Sequence, residues 1–190
     1  GSFESIALPR PRDAGVFVTQ VGDTNRAEVR QAAAGNSYAR VTQGGAENRT
    51  FIAQGENGRH FAEAVQGGDT NRIDADQAGA GETMLLLAQQ GNRNTAVIRQ
   101  VDNGAAYSAA AVQQSGNDND LLLMQDGSDN QARLTQEGDG NAMTATQLNS
   151  GNRLEWSQTG DGLADLAITQ TGSSSLQVTQ SNSGAQFAPA

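Results

Sequence analysis

Residues 108–125 read SAAAVQQSGNDNDLLLMQ, and this stretch decides the fold. It holds two seven-residue runs, Ser108–Gln114 and Asn119–Gln125, each closed by a Gln. Val112 and Ala110 stand two and four places before the first Gln, and Leu123 and Leu121 before the second. Apolar residues at every second position have the period of a β-strand, whose side chains alternate between two faces. Between the runs lies Gln-x-Gly-x-x-Asn, with Gly116 placed for a tight reversal that needs positive φ. Eighteen residues thus spell strand, arc, strand.

Working outward in both directions, the same phrase organises the chain. Gln closes a run at 20, 31, 43, 54, 66, 77, 89, 100, 114, 125, 136, 147, 158, 170 and 180 (Gln20, Gln31, Gln43, Gln54, Gln66, Gln77, Gln89, Gln100, Gln114, Gln125, Gln136, Gln147, Gln158, Gln170 and Gln180). The place two before Gln is apolar in all fifteen runs, from Val18 to Val178. The place four before is apolar in all but one, where Thr50 stands. Six before Gln, on the same face, the residue is Asn eight times: Asn25, Asn48, Asn71, Asn94, Asn119, Asn130, Asn141 and Asn152. Gly22, Gly45, Gly68, Gly91, Gly116, Gly127 and Gly138 fill the arc position three before Asn. The repeat is two strands, first 23 residues and later 22, with one two-residue lengthening between Asn103 and Ser108.

One such unit has only four apolar inward side chains, too few to offset an ordering cost of roughly 1–2 kcal/mol per residue. Stacking units at about 4.8 Å resolves this, because each strand then bonds to those above and below and equivalent side chains form columns. Inward Gln and Asn become amide ladders, satisfying groups that would otherwise each cost roughly 1–3 kcal/mol in a dry interior. The expected fold is therefore all-β, a β-solenoid of stacked strand–arc–strand repeats with two strands per layer and about seven to eight layers. It occupies 14–180, between a pre-repeat segment at 1–13 and a C-terminal partial repeat or tail at 181–190. Pro9 and Pro11 make the pre-repeat segment unsuited to a capping helix, so both solenoid ends are expected to be open.

Composition excludes several function classes. Twelve Arg and no Lys stand against twenty-one acidic residues, a net charge of −9 that offers no basic face to nucleic acid. With no Cys, neither disulfides nor thiolate metal sites are available. No apolar run is long enough to span a membrane, and no basic-then-apolar leader opens the sequence, so the chain reads as soluble and already processed.

The alternation of a Ser-x5-Gln strand with a Gln-x-Gly-x-x-Asn-x5-Gln strand resembles the curlin repeat of the subunits of curli fibres. It is fullest in Ser37–Gln54, His60–Gln77, Thr83–Gln100 and Ser108–Gln125. The resemblance implies a secreted structural subunit of a Gram-negative bacterium's biofilm matrix, a functional amyloid exported through an outer-membrane pore and assembled outside the cell. Its implied partners are further copies of itself, a nucleator subunit and the secretion pore, with neither nucleic acid nor membrane insertion. By the same resemblance the segment at 1–13 is an export-recognition segment. Here His60 and Thr83 stand where the family pattern has Ser, and no Asn occurs at Ala164 or Ser174.

Individual residues support no enzyme, and no catalytic, metal or cofactor site is expected. His60, the single His, occupies a repeat position without companion ligands. Asp23, Asp69, Asp118, Asp129, Asp139 and Asp161 lie in arcs without the nonapeptide spacing of calcium β-rolls. Arg26, Arg49 and Arg72 are expected to align in an outward column, and Trp156 to point inward. Met84, Leu86, Leu122 and Met124 form an expected apolar exterior set, a candidate lateral contact. Two other classes remain as alternatives: a monomeric solenoid adhesin or ice-binding module, weakened by the scatter of Thr42, Thr135, Thr144 and Thr146, and a polysaccharide-cleaving β-helix, for which no carboxylate cluster stands out. A minor nucleator of the same fibre is a third.

Overall fold

A computed structural model of the chain describes Ile6, residues 14–32 and residues 36–181. Apart from Ile6 and Ser181, the expected pre-repeat segment and tail lie outside the described residues.

Fifteen strands alternate between two sheets. One sheet holds β1 (Gly15–Val21), β3 (Tyr38–Gly44), β5 (Arg59–Gly67), β7 (Glu82–Gln90), β9 (Tyr107–Ser115), β11 (Gln131–Glu137), β13 (Arg153–Thr159) and β15 (Ser175–Ser181). We call it sheet A. Sheet B holds β2 (Arg26–Gln31), β4 (Arg49–Gln54), β6 (Arg72–Ala78), β8 (Thr95–Val101), β10 (Asp120–Asp126), β12 (Ala142–Leu148) and β14 (Ile168–Thr171). Each strand pairs in parallel with the equivalent strand of the next layer, and register places Gln on Gln throughout. Seven two-strand layers result, and β15 begins an eighth: a β-solenoid of about seven turns.

The core lies between the sheets and is built from the places two and four before each Gln. Val41, Ile52, Leu85, Ile98, Leu123, Leu134, Leu154 and Trp156 are fully buried there. The lengthened repeat is absorbed at one arc, so Thr83 pairs with Ser108 across 25 residues without disturbing Gln89 on Gln114.

The structure departs from the sequence reading in two places. Met84 is not exposed. It is 2% accessible, because Ile6 lies over the outer face of sheet A against Phe61, Met84 and Ala109. Ile6 donates its N–H to Gln131 Oε1 (3.0 Å) and accepts the Tyr107 hydroxyl at its carbonyl (3.5 Å). Ile6 therefore contributes a contact on the flank of the solenoid.

The second departure is in layer seven. Leu163 takes the place of Asn, its N–H bonding Asn141 Oδ1 at 2.9 Å. An extra residue follows, β14 shrinks to four residues, and on the side that β14 leaves without a strand partner Asp165 caps β12 through Thr144 N (2.8 Å). Ala167 takes φ 47° in this bulge.

At the β1 edge Val16 and Val18, inward by pattern, are 45% and 47% exposed. Nothing among the described residues stacks on β1 and β2, so their inward side chains have a neighbour on one side only.

Candidate functional site: an open edge continuous with two amide ladders

Each Gln column is a continuous hydrogen-bonded chain. In sheet A, Nε2 of Gln20, Gln43, Gln66, Gln89, Gln114, Gln136 and Gln158 donates to Oε1 of the Gln one layer on, at 2.6–2.9 Å. In sheet B, Gln31, Gln54, Gln77, Gln100, Gln125 and Gln147 do the same towards Gln170 at 2.8–3.0 Å. These inward amides are buried from Gln43 onward.

The second Nε2 proton crosses the core, which sequence reasoning missed. Gln54 donates to the Tyr38 carbonyl (3.0 Å), Gln77 to Phe61 (2.9 Å), Gln100 to Met84 (3.1 Å), and Gln136 to Asp120 (3.1 Å). Each acceptor belongs to the opposite sheet. Glutamine suits the position because it alone combines this reach with two amide protons and an acceptor. The cross-core carbonyl can only accept, so it fixes which end of the amide carries nitrogen. Every Oε1 therefore faces the β1–β2 end, and every ladder proton faces the β14–β15 end.

The Asn columns bind the arcs. Oδ1 of Asn25, Asn48, Asn71, Asn94 and Asn119 accepts the backbone N–H of the next Asn at 3.0–3.1 Å. Their Nδ2 groups donate to the carbonyls of Gly45, Gly68, Gly91, Gly116 and Gly138 one layer on, at 2.6–2.8 Å. Across the other arc, Asn130 Oδ1 accepts from Asn152 N (3.1 Å), and Asn130 itself sits on Ser108.

The arc glycines stack too closely for any side chain. At Gly68, φ is 96° and a Cβ would lie 2.1 Å from the Gly91 carbonyl oxygen. Gly22, Gly45, Gly91, Gly116 and Gly138 form the rest of this column, while Gly127 sits in the opposite arc against Asn149.

The expected Arg26, Arg49 and Arg72 do align on the outer face of sheet B. Arg26 pairs with Glu28 (3.1 Å) and Arg72 with Asp74 (3.3 Å), both exposed. Arg26 and Arg30 together hold the Glu28 carboxyl below its ordinary range, the Arg30 hydrogen bond contributing most.

Two titratable groups are buried inside the second arc column. His60 stacks on Thr83, with Nδ1 2.9 Å from its hydroxyl, and Nε2 lies 2.8 Å from the Gly55 carbonyl. That carbonyl requires a proton on Nε2, leaving Nδ1 to accept from Thr83. Burial lowers the His60 pKa, partly opposed by the Gly55 bond. Asp102, in the lengthened arc, is buried and accepts from Gly104 N and Ser108 Oγ, both at 2.8 Å. Burial raises its pKa against those bonds. Nothing in the repeat pattern marked Asp102; the lengthened spacing was the available signal. Among the described residues no group of His, Asp or Glu is arranged to hold a metal ion, and no helix is long and apolar enough to cross a membrane.

At the β1–β2 edge the arrangement ends with its ladder acceptors presented. Gln20 and Gln31 present Oε1 atoms without a donor among the described residues, beside exposed Val16 and Val18. The ladders and the apolar columns arrive at this edge with the chemistry they carry inside.

Residues 116–148, from the arc before β10 through β12, match the family model described as the curlin associated repeat. No curated protein and no solved structure matches the chain.

Proposed function

We propose that the chain is a structural subunit that adds to its own copies end to end, building an extracellular curli-type fibre of the biofilm matrix, and that it performs no catalysis. The observation carrying this is the β1–β2 edge, where exposed Val16 and Val18 lie beside Gln20 and Gln31 acceptors that no described residue fills. A copy offering donors from its β14–β15 end extends both ladders with the bonds already made thirteen times inside one subunit. The curlin associated repeat at 116–148 supports the same reading, since the curlin family is structural and its members are extracellular curli components. A nucleator subunit and an outer-membrane secretion pore complete the proposed set of partners.

Seeded growth, followed by thioflavin fluorescence and electron microscopy, tests this. The expected result is elongation without lag by the unaltered chain. Val18→Asp should fail to elongate while its circular dichroism as a monomer is unchanged, because Val18 is already half exposed. A chain that stays monomeric with seeds, or a Val18→Asp variant that elongates normally, overturns the proposal.

A further inference from the structure

Arg26, Arg49 and Arg72 stack in register on the outer face of sheet B, so three cationic side chains leave the backbone at a spacing of about 4.8 Å. Like charges set directly opposite in neighbouring strands repel. Two residues on, Glu28 and Asp74 answer Arg26 and Arg72, but layer two has Phe51 at that place. Among the described residues no carboxylate pairs with Arg49, which is exposed at the middle of the column. Arg26, Glu28, Arg49, Phe51, Arg72 and Asp74 line a hollow of about 250 Å³.

We infer that this hollow binds a uronic-acid sugar of an acidic polysaccharide, with Arg49 holding its carboxylate.

Each part of the hollow selects for part of that ligand. The planar guanidinium of Arg49 matches a carboxylate with two parallel N–H···O bonds, and an anion placed there offsets the crowding of three stacked cations. Phe51, with Arg30 over its ring at 5.3 Å, gives a half-buried apolar floor for the C–H face of a sugar ring. Glu28 and Asp74 already have Arg partners, yet their carboxylates keep lone pairs that can accept from sugar hydroxyls. The same two carboxylates repel a multiply charged anion such as phosphate.

The volume lies below the roughly 300–1,000 Å³ of sites for drug-sized ligands and suits a single ring. A net charge of −9 turns away nucleic acid, with its charge every ~1.7 Å of duplex, far more than a polysaccharide with one charge per sugar.

The site lies within layers one to three of one subunit, so it does not depend on end-to-end assembly. An exposed Arg in water binds weakly, and a monomer is expected to bind at about millimolar concentration. In the proposed fibre the site recurs once per subunit, and one polysaccharide chain that reaches several sites is held by all of them together.

Freshly prepared, isotope-labelled monomer is titrated with trigalacturonate, with neutral galactotriose and with inorganic phosphate at equal ionic strength, following the arginine side-chain N–H signals by NMR. The expected result is a saturable movement of the Arg49 signal with trigalacturonate alone. Arg49→Gln should weaken trigalacturonate binding, read at Arg72, by about tenfold or more, the worth of a charge-assisted hydrogen-bond pair. Arg49→Lys, which keeps the charge but not the fork, should lose most of the affinity as well. Arg99→Gln is the control, since Arg99 is exposed on the same sheet outside the hollow and pairs with no carboxylate among the described residues; it should bind as the unaltered chain does. Circular dichroism of each variant should match the unaltered chain, because both positions face solvent. A stationary Arg49 signal, equal binding of phosphate, or equal losses in Arg49→Gln and Arg99→Gln overturns the inference, and each leaves end-to-end growth standing.

Discussion

Gln113 and Gln114 are neighbours with opposite fates, which makes them a test of the ladder. Gln114 is fully buried, and its Oε1 accepts from Gln89 Nε2 (2.8 Å). Its Nε2 donates to Gln136 Oε1 (2.8 Å) and Thr95 O (3.0 Å). Gln113 points out to solvent. In Gln114→Glu the acceptor role survives but both donations are lost, and carboxylate oxygen faces amide and carbonyl oxygen. Two orphaned acceptors at roughly 1–3 kcal/mol each predict a loss of about 2–6 kcal/mol at pH 7, to which burial of charge adds. Against a total stability of about 5–15 kcal/mol this is large. Gln113→Glu, with the same change of charge, should shift stability by less than about 0.5 kcal/mol.

The loss in Gln114→Glu is partly reversible with acid. A buried Glu has its pKa raised, so the fold binds a proton that the unfolded chain does not. Stability of this variant therefore rises as pH falls from 7 through the raised pKa, and levels off below the ordinary Glu value of about 4.3. Protonation returns one O–H donor of the two lost. Urea unfolding of freshly prepared monomer, followed by circular dichroism at pH 7 and pH 5, measures both effects. Equal stabilities for the two variants at pH 7, or no recovery of Gln114→Glu in acid, would refute the ladder as the reason Gln recurs.

Thr70 is β-branched yet sits at φ 62°, in the arc position that Gly140 and Gly162 fill in later layers; Thr70→Gly should stabilise by about 1 kcal/mol net of unfolded-state entropy, read as a higher Tm. Gly68→Ala should do the reverse by more than about 2 kcal/mol, since its Cβ would meet the Gly91 carbonyl at 2.1 Å and the backbone must open. His60 is held neutral by burial, with its folded pKa below the ordinary value. Below about pH 6.5 the unfolded chain takes up a proton that the fold refuses, so stability falls with acid, and His60→Thr, matching Thr83 above it, should remove that part of the slope in urea titrations at pH 7 and pH 5. The raised pKa of Asp102 gives the opposite sign, stability gained as pH falls, so a variant such as Asp102→Asn steepens the acid loss that remains.

The strand pattern was legible because two independent periods coincide in it. Apolar residues at every second place define a face, and Gln at a fixed place on that face defines a register, so Leu123 could be assigned inward and stacked on Ala145 and Ile98 from spacing alone. Features that depend on contact between distant parts of the chain were not legible. Met84 is covered only because Ile6 reaches it and because Ala109, in the next layer, leaves room. The layer-seven bulge is hidden because Gln170 still follows Gln147 at 23 residues, while Leu163 and Asp165 share out the work of one Asn and three strand residues. The exposure of the β1 edge has the same character, since Val18 occupies the same place in the repeat as buried Val41 and differs in having no described strand beyond it.

The direction of the ladder, too, comes from contact rather than pattern, and it constrains assembly further than the repeat does. A column of Gln could run with its protons towards either end if only its neighbours mattered. The carbonyls of Tyr38, Phe61, Met84 and Asp120 remove that freedom, because each accepts a proton across the core and so fixes the nitrogen of its Gln. Acceptors therefore gather at the β1–β2 edge in both sheets. Two copies meeting by that edge would set Oε1 of Gln20 and Gln31 against the same atoms of the other copy, leaving buried acceptors unmet at roughly 1–3 kcal/mol each. Meeting through opposite ends brings donor to acceptor in both columns and Val18 against an apolar column of the same register. The core hydrogen bonds that hold one subunit together are thus also what would give the proposed end-to-end association its polarity.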